Sequence, residues 1–431
     1  MQLKSTIDQA SLRESNLSSV LKLIYRQAPL SRAQLATRSG LNKSTISSLV
    51  EDLLARAMVH ETGTNSTGAG RPATLLEINP RVGAVIAVEL GVDFVAVALV
   101  DFTGGVMWRN QVQADPAELQ DETMVEIRRL VDEANAGCSE RGLQVLGLSF
   151  SIPGTVDVEQ GVLIFAPNLN WRNVGLREMF GYTGLKVYIE NDANAAAIGE
   201  HLFGVAQNAK DFVWVFAGVG LGGGLYLNDH LYRGTGGYAG EIGHTPIRAE
   251  PDGQACRCGN RGCWETYANQ HAIIARVEAK LESGCESVIR GKLEDQNESL
   301  LLVKIKEAAE AGDEVALEAL AEVGSAMGSG FAGLVNTFNP EKIVLGGPLS
   351  IAGPFLMPTI LSGVKQYAMS EIAAQTEISL SAFGGDASLI GAAGVVVDDI
   401  LANPTQVLKG GETTEGERSN DRLTIEIQHI Q

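Results

Sequence analysis

The sequence predicts an α/β protein in two parts: a small winged helix–turn–helix module, then a body of two similar lobes around a cleft. Three observations carry this. Apolar residues recur at helical spacing from Leu17 to Leu54 and then give way to short strands around a polar loop. Beyond residue 82, apolar strands form two glycine-bearing hairpins, one in each half of the body. The charge changes sign at the same place. Residues 1–82 hold ten Lys or Arg against six Asp or Glu, so of the net charge of −19 the module contributes +4 and the remainder −23. The 431 residues give length for two or three cores.

Leu17, Val20, Leu21 and Ile24 mark the buried face of a first helix, Leu35 and Ala36 of a second, and Ile46, Leu49, Val50, Leu53 and Leu54 of a third. Pro29 ends the first, because it lacks a donor and clashes with the preceding turn. Ser31 can cap the second helix, which Gly40 closes. Leu41 packs in the short turn, and the third helix begins at Asn42 or Ser44. This spacing presents Asn42, Lys43, Ser44, Thr45 and Ser47 at the exposed start of the last helix. Such short polar and basic groups suit base edges and phosphates in a major groove. Strands over 58–61 and 74–78 then flank a wing at 62–71 rich in Gly, Ser, Thr and Asn. Arg71, held by Pro72, suits a narrow minor groove. Helical triplets also serve in dimerisation or docking; the basic balance, the polar face and the wing together favour DNA.

In the body, strands at 85–90 and 95–100 are joined through Gly91, Val92 and Asp93. A strand at 146–151 ends in Pro153-Gly154. Another at 187–189 runs into Glu190-Asn191-Asp192-Ala193-Asn194 and an alanine-rich helix. Strands at 212–216 and 223–227 enclose Gly218-Val219-Gly220, and a last strand at 342–345 precedes Gly346-Gly347.

His244, Cys256, Cys258 and Cys263 fall within 20 residues, in a chain with six histidines and five cysteines. One imidazole and three thiolates in the spacing H-x11-C-x-C-x4-C suit a closed tetrahedral Zn2+ site. Four protein ligands leave no position for water, so the metal would be structural and would hold Glu241 and Glu265 at the two ends of its loop. Inert thiols beside a surface histidine are the alternative. Only Cys138 and Cys285 lie elsewhere, which leaves no disulfide framework and fits a reducing cytoplasm. No apolar run is long enough to span a membrane, and the first residues lack the apolar stretch of a secretory signal.

SIPGTVD, APNLNWRN, ENDANAAA, GVGLGGG, GEIGH, CRCGNRGCWE and NTFNPEKIVLGG occur in that order. Together they resemble the successive motifs of the ROK family of repressors and sugar kinases, across residues 83–400. With the winged module at 1–82, the likeness is closest to the xylose-repressor subgroup of ROK transcriptional regulators. It implies an actin-like, duplicated ribonuclease-H-like fold. It also implies a monosaccharide pocket lined by Gly154, Asn168, Asn191, Asp192, Glu241, His244 and Glu265. His244 would then have two roles, one ring nitrogen on zinc and the other facing the sugar or its glutamates.

In the family's kinases Asp192 would be the base that deprotonates the attacking hydroxyl. The phosphate-binding hairpin of those kinases has the pattern D-x-G-x-T, where this chain reads Glu89-Leu90-Gly91-Val92-Asp93. A carboxylate at Asp93 repels a triphosphate, and no cation stands nearby in sequence. Val219 likewise stands where a hydroxyl residue is usual, and the glycines around it fit a tight strand turn equally well. The expectation is a sugar-responsive DNA-binding regulator without enzyme activity, a repressor of xylose-like carbohydrate catabolism that sugar releases from operator DNA as a homodimer or tetramer. The alternatives are an active ATP-dependent sugar kinase with a DNA-binding appendage, and a DNA-binding protein whose cleft takes a partner protein. The polar tail, 401–431, is expected to be disordered, although LTIEIQ alternates as an edge strand would.

Overall fold

The computed structural model describes residues 9–65, 73–248, 251–291 and 298–408. The N-terminal module consists of α1 (Gln9–Gln27), β1 (Leu30–Ser31), α2 (Arg32–Ser39), α3 (Lys43–Ala55), β2 (Val59–Asn65) and β3 (Ala73–Ile78). Its sheet has the order β1-β3-β2. The helices follow the apolar spacing: Leu17, Val20, Leu21, Ile24, Leu35, Ile46, Leu49, Val50 and Leu53 are all buried. Each such side chain contributes roughly 1.5–3 kcal/mol of burial. Ser31 caps α2 in a reciprocal arrangement. Gln34 N donates to its Oγ at 3.3 Å, and Ser31 N donates to Gln34 Oε1 at 2.8 Å. Of the two candidates for the start of α3, Asn42 is the cap. Arg71 and the wing tip, 66–72, lie outside the described residues.

The first lobe opens with a meander of β4 (Ala84–Leu90), β5 (Phe94–Asp101) and β6 (Val106–Gln113), followed by α4 (Gln120–Glu140) and β7 (Val145–Ile152). Three short strands, β8 (Thr155–Asp157), β9 (Val162–Ala166) and β10 (Trp171–Val174), form a separate small sheet. Then come α5 (Leu176–Met179), β11 (Val187–Asn191) and α6 (Asp192–Phe203). The second lobe repeats the plan with β12 (Phe212–Ala217), β13 (Leu221–Leu227) and β14 (His230–Leu231). Its helices α7 (Glu265–Ala268), α8 (Gln270–Glu282), α9 (Glu298–Glu310) and α10 (Glu314–Phe338) precede β15 (Lys342–Gly346). After that strand come α11 (Gly353–Tyr367), α12 (Ser370–Ala373), β16 (Glu377–Leu380) and finally α13 (Ala387–Ala402).

The sheet orders β6-β5-β4-β7-β11 and β14-β13-β12-β15-β16 are the same order twice, an antiparallel meander extended by two parallel strands. This is the duplicated architecture expected from the two hairpins. The small sheet was not foreseen: strands of three to five residues are too short to show a period of two.

The module does not hang from the body by a linker. A single apolar core runs from Leu17 and Ile24 through Val85, Ala96 and Phe102 to Val396, Ile400 and Val407. The tail expected to loosen at 401 stays packed through Val407, which is a correction. Buried Arg56 donates to the carbonyls of Thr405 and Val407, Ser18 Oγ donates to Leu401 O at 2.7 Å, and Val407 is itself buried. The LTIEIQ segment lies outside the described residues. Among the described residues no helix is long and apolar enough to cross a membrane.

Candidate functional site

The carboxyl ends of the strands from both lobes face one cleft of about 540 Å³, within the range of small-molecule sites. All seven residues of the expected sugar set line it: Gly154, Asn168, Asn191, Asp192, Glu241, His244 and Glu265. They do not all present free groups. Asn191 Oδ1 caps α6, accepting from Ala193 N at 3.0 Å and Asn194 N at 3.2 Å, while its Nδ2 donates to Gly154 O at 3.1 Å. Gly154, at φ +133, needs its missing Cβ, which would meet Phe165 O at 2.4 Å. Asn191 and Gly154 thus bind β11 to the small sheet. Asn168 is half-buried on the β9–β10 turn. Asp192 sits at the first turn of α6 and accepts from its neighbour Ala193 N at 2.9 Å. Burial pushes its carboxyl up to about 6 against the lowering hydrogen bond from Ala193, and the Glu241 carboxylate raises it further.

The metal loop borders the same cleft. The ligand atoms of His244, Cys256, Cys258 and Cys263 all lie within 4.8 Å of one another. Cys256 Sγ is 3.6 Å from His244 Nδ1, and Cys258 Sγ is 3.7 Å from Cys263 Sγ. For a tetrahedral ion with sulfur at about 2.3 Å and nitrogen at about 2.0–2.1 Å, the edges are about 3.8 Å between sulfurs and about 3.6 Å between sulfur and nitrogen. The donor set therefore fits a metal ion through Nδ1 of His244. The other ring nitrogen, Nε2, is 3.8 Å from Glu241 Oε2. Glu265, immediately after the loop, accepts from Leu221 N at 3.0 Å and so joins the loop to the second hairpin.

The two hairpins form the opposite wall. Glu89, at the end of β4, is buried, and its carboxyl is pushed up to about 8 by burial first, then by the Asp192 and Asp386 carboxylates, with Arg109 opposing. Asp93 lines the same wall. A cation does stand here, contrary to expectation from the local sequence: Arg109 reaches in from β6. It is already paired with Asp386, at 2.8 Å. In the second hairpin the backbone carbonyls are engaged, Asn269 Nδ2 donating to Val219 O at 2.9 Å and Gln270 N to Gly218 O at 2.8 Å. Its glycines let α6 descend on β13, where a Cβ at Gly224 would meet Ala193 O at 2.6 Å.

On the module, Asn42, Lys43 and Ser44 are exposed at the start of α3, with Thr45 and Ser47 half-buried behind them. Asn42 Oδ1 accepts from Thr45 N at 2.8 Å and Ser44 Oγ at 2.7 Å, and Ser47 Oγ donates to Lys43 O at 3.0 Å. The cap fixes the geometry, and among the described residues Lys43 is the cation of that turn without an ion-pair partner.

The ROK family model matches residues 85–399. The chain belongs to the ROK family. A xylose repressor of Caldicellulosiruptor bescii is 32% identical over 394 residues, 91% of this chain and 98% of that one. A solved ROK family transcriptional regulator, described as a homolog of the Escherichia coli MLC protein, has a TM-score of 0.77 at 28% identity. It covers 93% of this chain and 100% of its own. A ROK family glucokinase from Streptomyces griseus, solved with glucose and AMPPNP, has a TM-score of 0.63 at 33% identity, over 73% of this chain and 99% of that one.

Within this ROK cleft the sequence reading missed four charged residues: Arg109 and Asp386 of the hairpin wall, and Glu190 and Arg233. Glu190, buried at the end of β11, accepts from Asn191 N at 3.1 Å and Asn194 Nδ2 at 3.2 Å. Arg233, beyond β14, donates to its other oxygen at 2.5 Å. Glu190 had a signal, since a carboxylate ending an apolar parallel strand sits where α/β folds place their ligands.

Proposed function

We propose that this ROK protein is a sugar-responsive transcriptional repressor whose cleft binds a xylose-like monosaccharide and whose α3 reads operator DNA. The observation that carries the reading is that one cleft gathers all seven expected residues, six of them polar, while its floor helix, α6, ends against the N-terminal module. Arg26 of α1 meets His201 Nε2 of α6 at 3.0 Å. The names of its relatives support the same reading.

Gly154, Asn168, Asn191, Asp192, Glu241, His244 and Glu265 form the sugar site, with carboxylates and amides that grip neighbouring hydroxyls. His244, Cys256, Cys258 and Cys263 hold a structural zinc, which fixes Glu241 and Glu265 at the rim. Asn42, Lys43, Ser44, Thr45 and Ser47 enter the major groove, and Arg71 supplies the wing contact. The protein acts in the cytoplasm as at least a dimer, because two half-sites need two modules. Sugar shifts the population toward a closed cleft, and the modules no longer span both half-sites.

The glucokinase likeness, with Asp192 poised near neutrality as a base, favours a second reading as an active kinase. Against it stand Asp93, the neutral Glu89 and the engaged Arg109 on the phosphate wall. Calorimetry with xylose, glucose and N-acetylglucosamine, run beside an ATP-coupled turnover assay, separates the readings. Binding without turnover supports the repressor. Turnover selects the kinase, and no binding by any of the three overturns the xylose-like effector.

A further inference from the structure

A second cavity, of about 400 Å³, lies between the module and the body. Its walls are Lys22, Tyr25 and Arg26 of α1, Ile198, His201 and Leu202 of α6, and Asp398 and Leu401 of α13. It is polar and charged, unlike the apolar core beside it. Arg26 is held by both carboxylate oxygens of Asp229, at 2.9 and 3.0 Å. Burial raises the Asp398 carboxyl above the usual carboxylate range, against the nearby positive charges of Lys22, Arg233 and Arg26.

Among the described residues, Arg233 alone lines both this cavity and the large cleft. Its Nη2 donates to Glu190 in the cleft, and its Nε is buried without a partner among the described residues. The two ends of this pair belong to different lobes, Glu190 to β11 of the first sheet and Arg233 to the loop after β14 of the second. A relative movement of the lobes must therefore stretch, rotate or break the pair. Glu190 also holds the backbone of Asn191 and the side chain of Asn194, so it registers what happens to the residues at the start of α6. A guanidinium released from Glu190 has a second carboxylate available in Asp398, beside Lys22 of the module helix.

We propose that Arg233 is the positioning residue that transmits the state of the sugar cleft to the DNA-binding module, by exchanging between Glu190 and Asp398. The proposal rests on the repressor reading. It supplies what that reading lacks, a discrete two-state contact that both sites bias. With the cleft open, Arg233 is hydrogen-bonded to Glu190, and Lys22 is the foremost cation at Asp398. With the cleft closed, Arg233 competes for Asp398 and loosens the hold of α13 on α1.

The test uses the full chain, a duplex that it selects from a random-sequence library, and D-xylose, replaced by glucose or N-acetylglucosamine if calorimetry shows that xylose does not bind. Sugar affinity without DNA, duplex affinity without sugar, and duplex affinity at saturating sugar are measured for the parent, Arg233→Met, Arg233→Lys and Asp398→Asn. In the parent, sugar should weaken the duplex complex by roughly 5–150-fold. In Arg233→Met the factor should fall below about twofold while each separate affinity stays within about threefold of the parent, so the loss is in coupling alone. Arg233→Lys, which keeps a cation but not the fork, should give an intermediate factor. Asp398→Asn should reduce the factor from the module side without touching the cleft. A parental factor in Arg233→Met or in Asp398→Asn would overturn the proposal. So would loss of sugar binding in Arg233→Met, which would place Arg233 in the sugar site itself. If sugar binds the parent without changing its duplex affinity, the repressor reading fails; if only the variants behave like the parent, that reading survives and the coupling role does not.

Discussion

The two lobes share one strand order, and the two walls of the cleft, each built from both lobes, differ in what they offer a ligand. The wall that carries the proposed sugar site is a set of polar groups fixed by the backbone: Asn191 caps α6, Glu265 accepts from Leu221 N, and His244 stands beside Glu241 on the cysteine loop. The hairpin wall carries Glu89, Asp93 and Asp386, with Arg109 as the cation paired into it. A neutral polyol finds donors and acceptors on the first wall. A polyphosphate would meet carboxyls on the second. Two lobes of one strand order can thus build a cleft whose walls present different chemistry.

The largest expected effect tests that contrast directly. With sugar and ATP·Mg2+ the protein should show no turnover above background; a rate of about one per second, ordinary for a kinase, would break the comparison. Next comes the sugar wall's anchor. Cys258→Ser should release the metal, read by elemental analysis, and weaken sugar binding by roughly 10–100-fold, because the loop positions Glu241, His244 and Glu265. Retained sugar affinity without metal would show that the wall stands alone.

A smaller effect concerns the module. Lys43→Met should weaken operator binding across sequences and lower the slope of log affinity against log salt by about 1, the signature of one lost phosphate contact. An unchanged slope would remove Lys43 from the interface.

The smallest effect sharpens the hairpin wall. The Glu89 carboxyl is raised from 4.5 to about 8 and that of Asp192 from 3.8 to about 6. A raised carboxyl stabilises the fold below its unfolded value and loses that contribution as pH climbs through the folded value. Stability should therefore fall between about pH 4 and about pH 8. Glu89→Gln should melt like the parent near pH 4 and above it near pH 9, by on the order of 1–3 kcal/mol. Equal melting at both ends would show that Glu89 is an ordinary solvated carboxylate.

What the sequence disclosed was local or ordered. The caps at Ser31 and Asn42 span three residues, so their partners can be read directly. The hairpins and the histidine–cysteine loop are likewise contiguous. The proposed sugar set came from motif order, not from spacing, because Gly154 and Glu265 reach one cleft only after two lobes fold. What stayed hidden is contact between distant residues: Arg233 with Glu190 across 43 positions, Arg109 with Asp386 across 277, and Arg56 with the Thr405 carbonyl across 349. No periodicity encodes such pairs, and they are the ones that tie lobe to lobe and module to body.

In the proposed repressor, occupancy of the sugar site controls the DNA-binding module. Fluorescence anisotropy of the operator duplex with and without a sugar shown to bind, for the parent and for Glu241→Gln, tests it most directly. Sugar should weaken operator binding by the same factor by which DNA weakens sugar binding, roughly 5–150-fold, and the effect should vanish in Glu241→Gln. Operator affinity that stays the same at saturating sugar in the parent would contradict it.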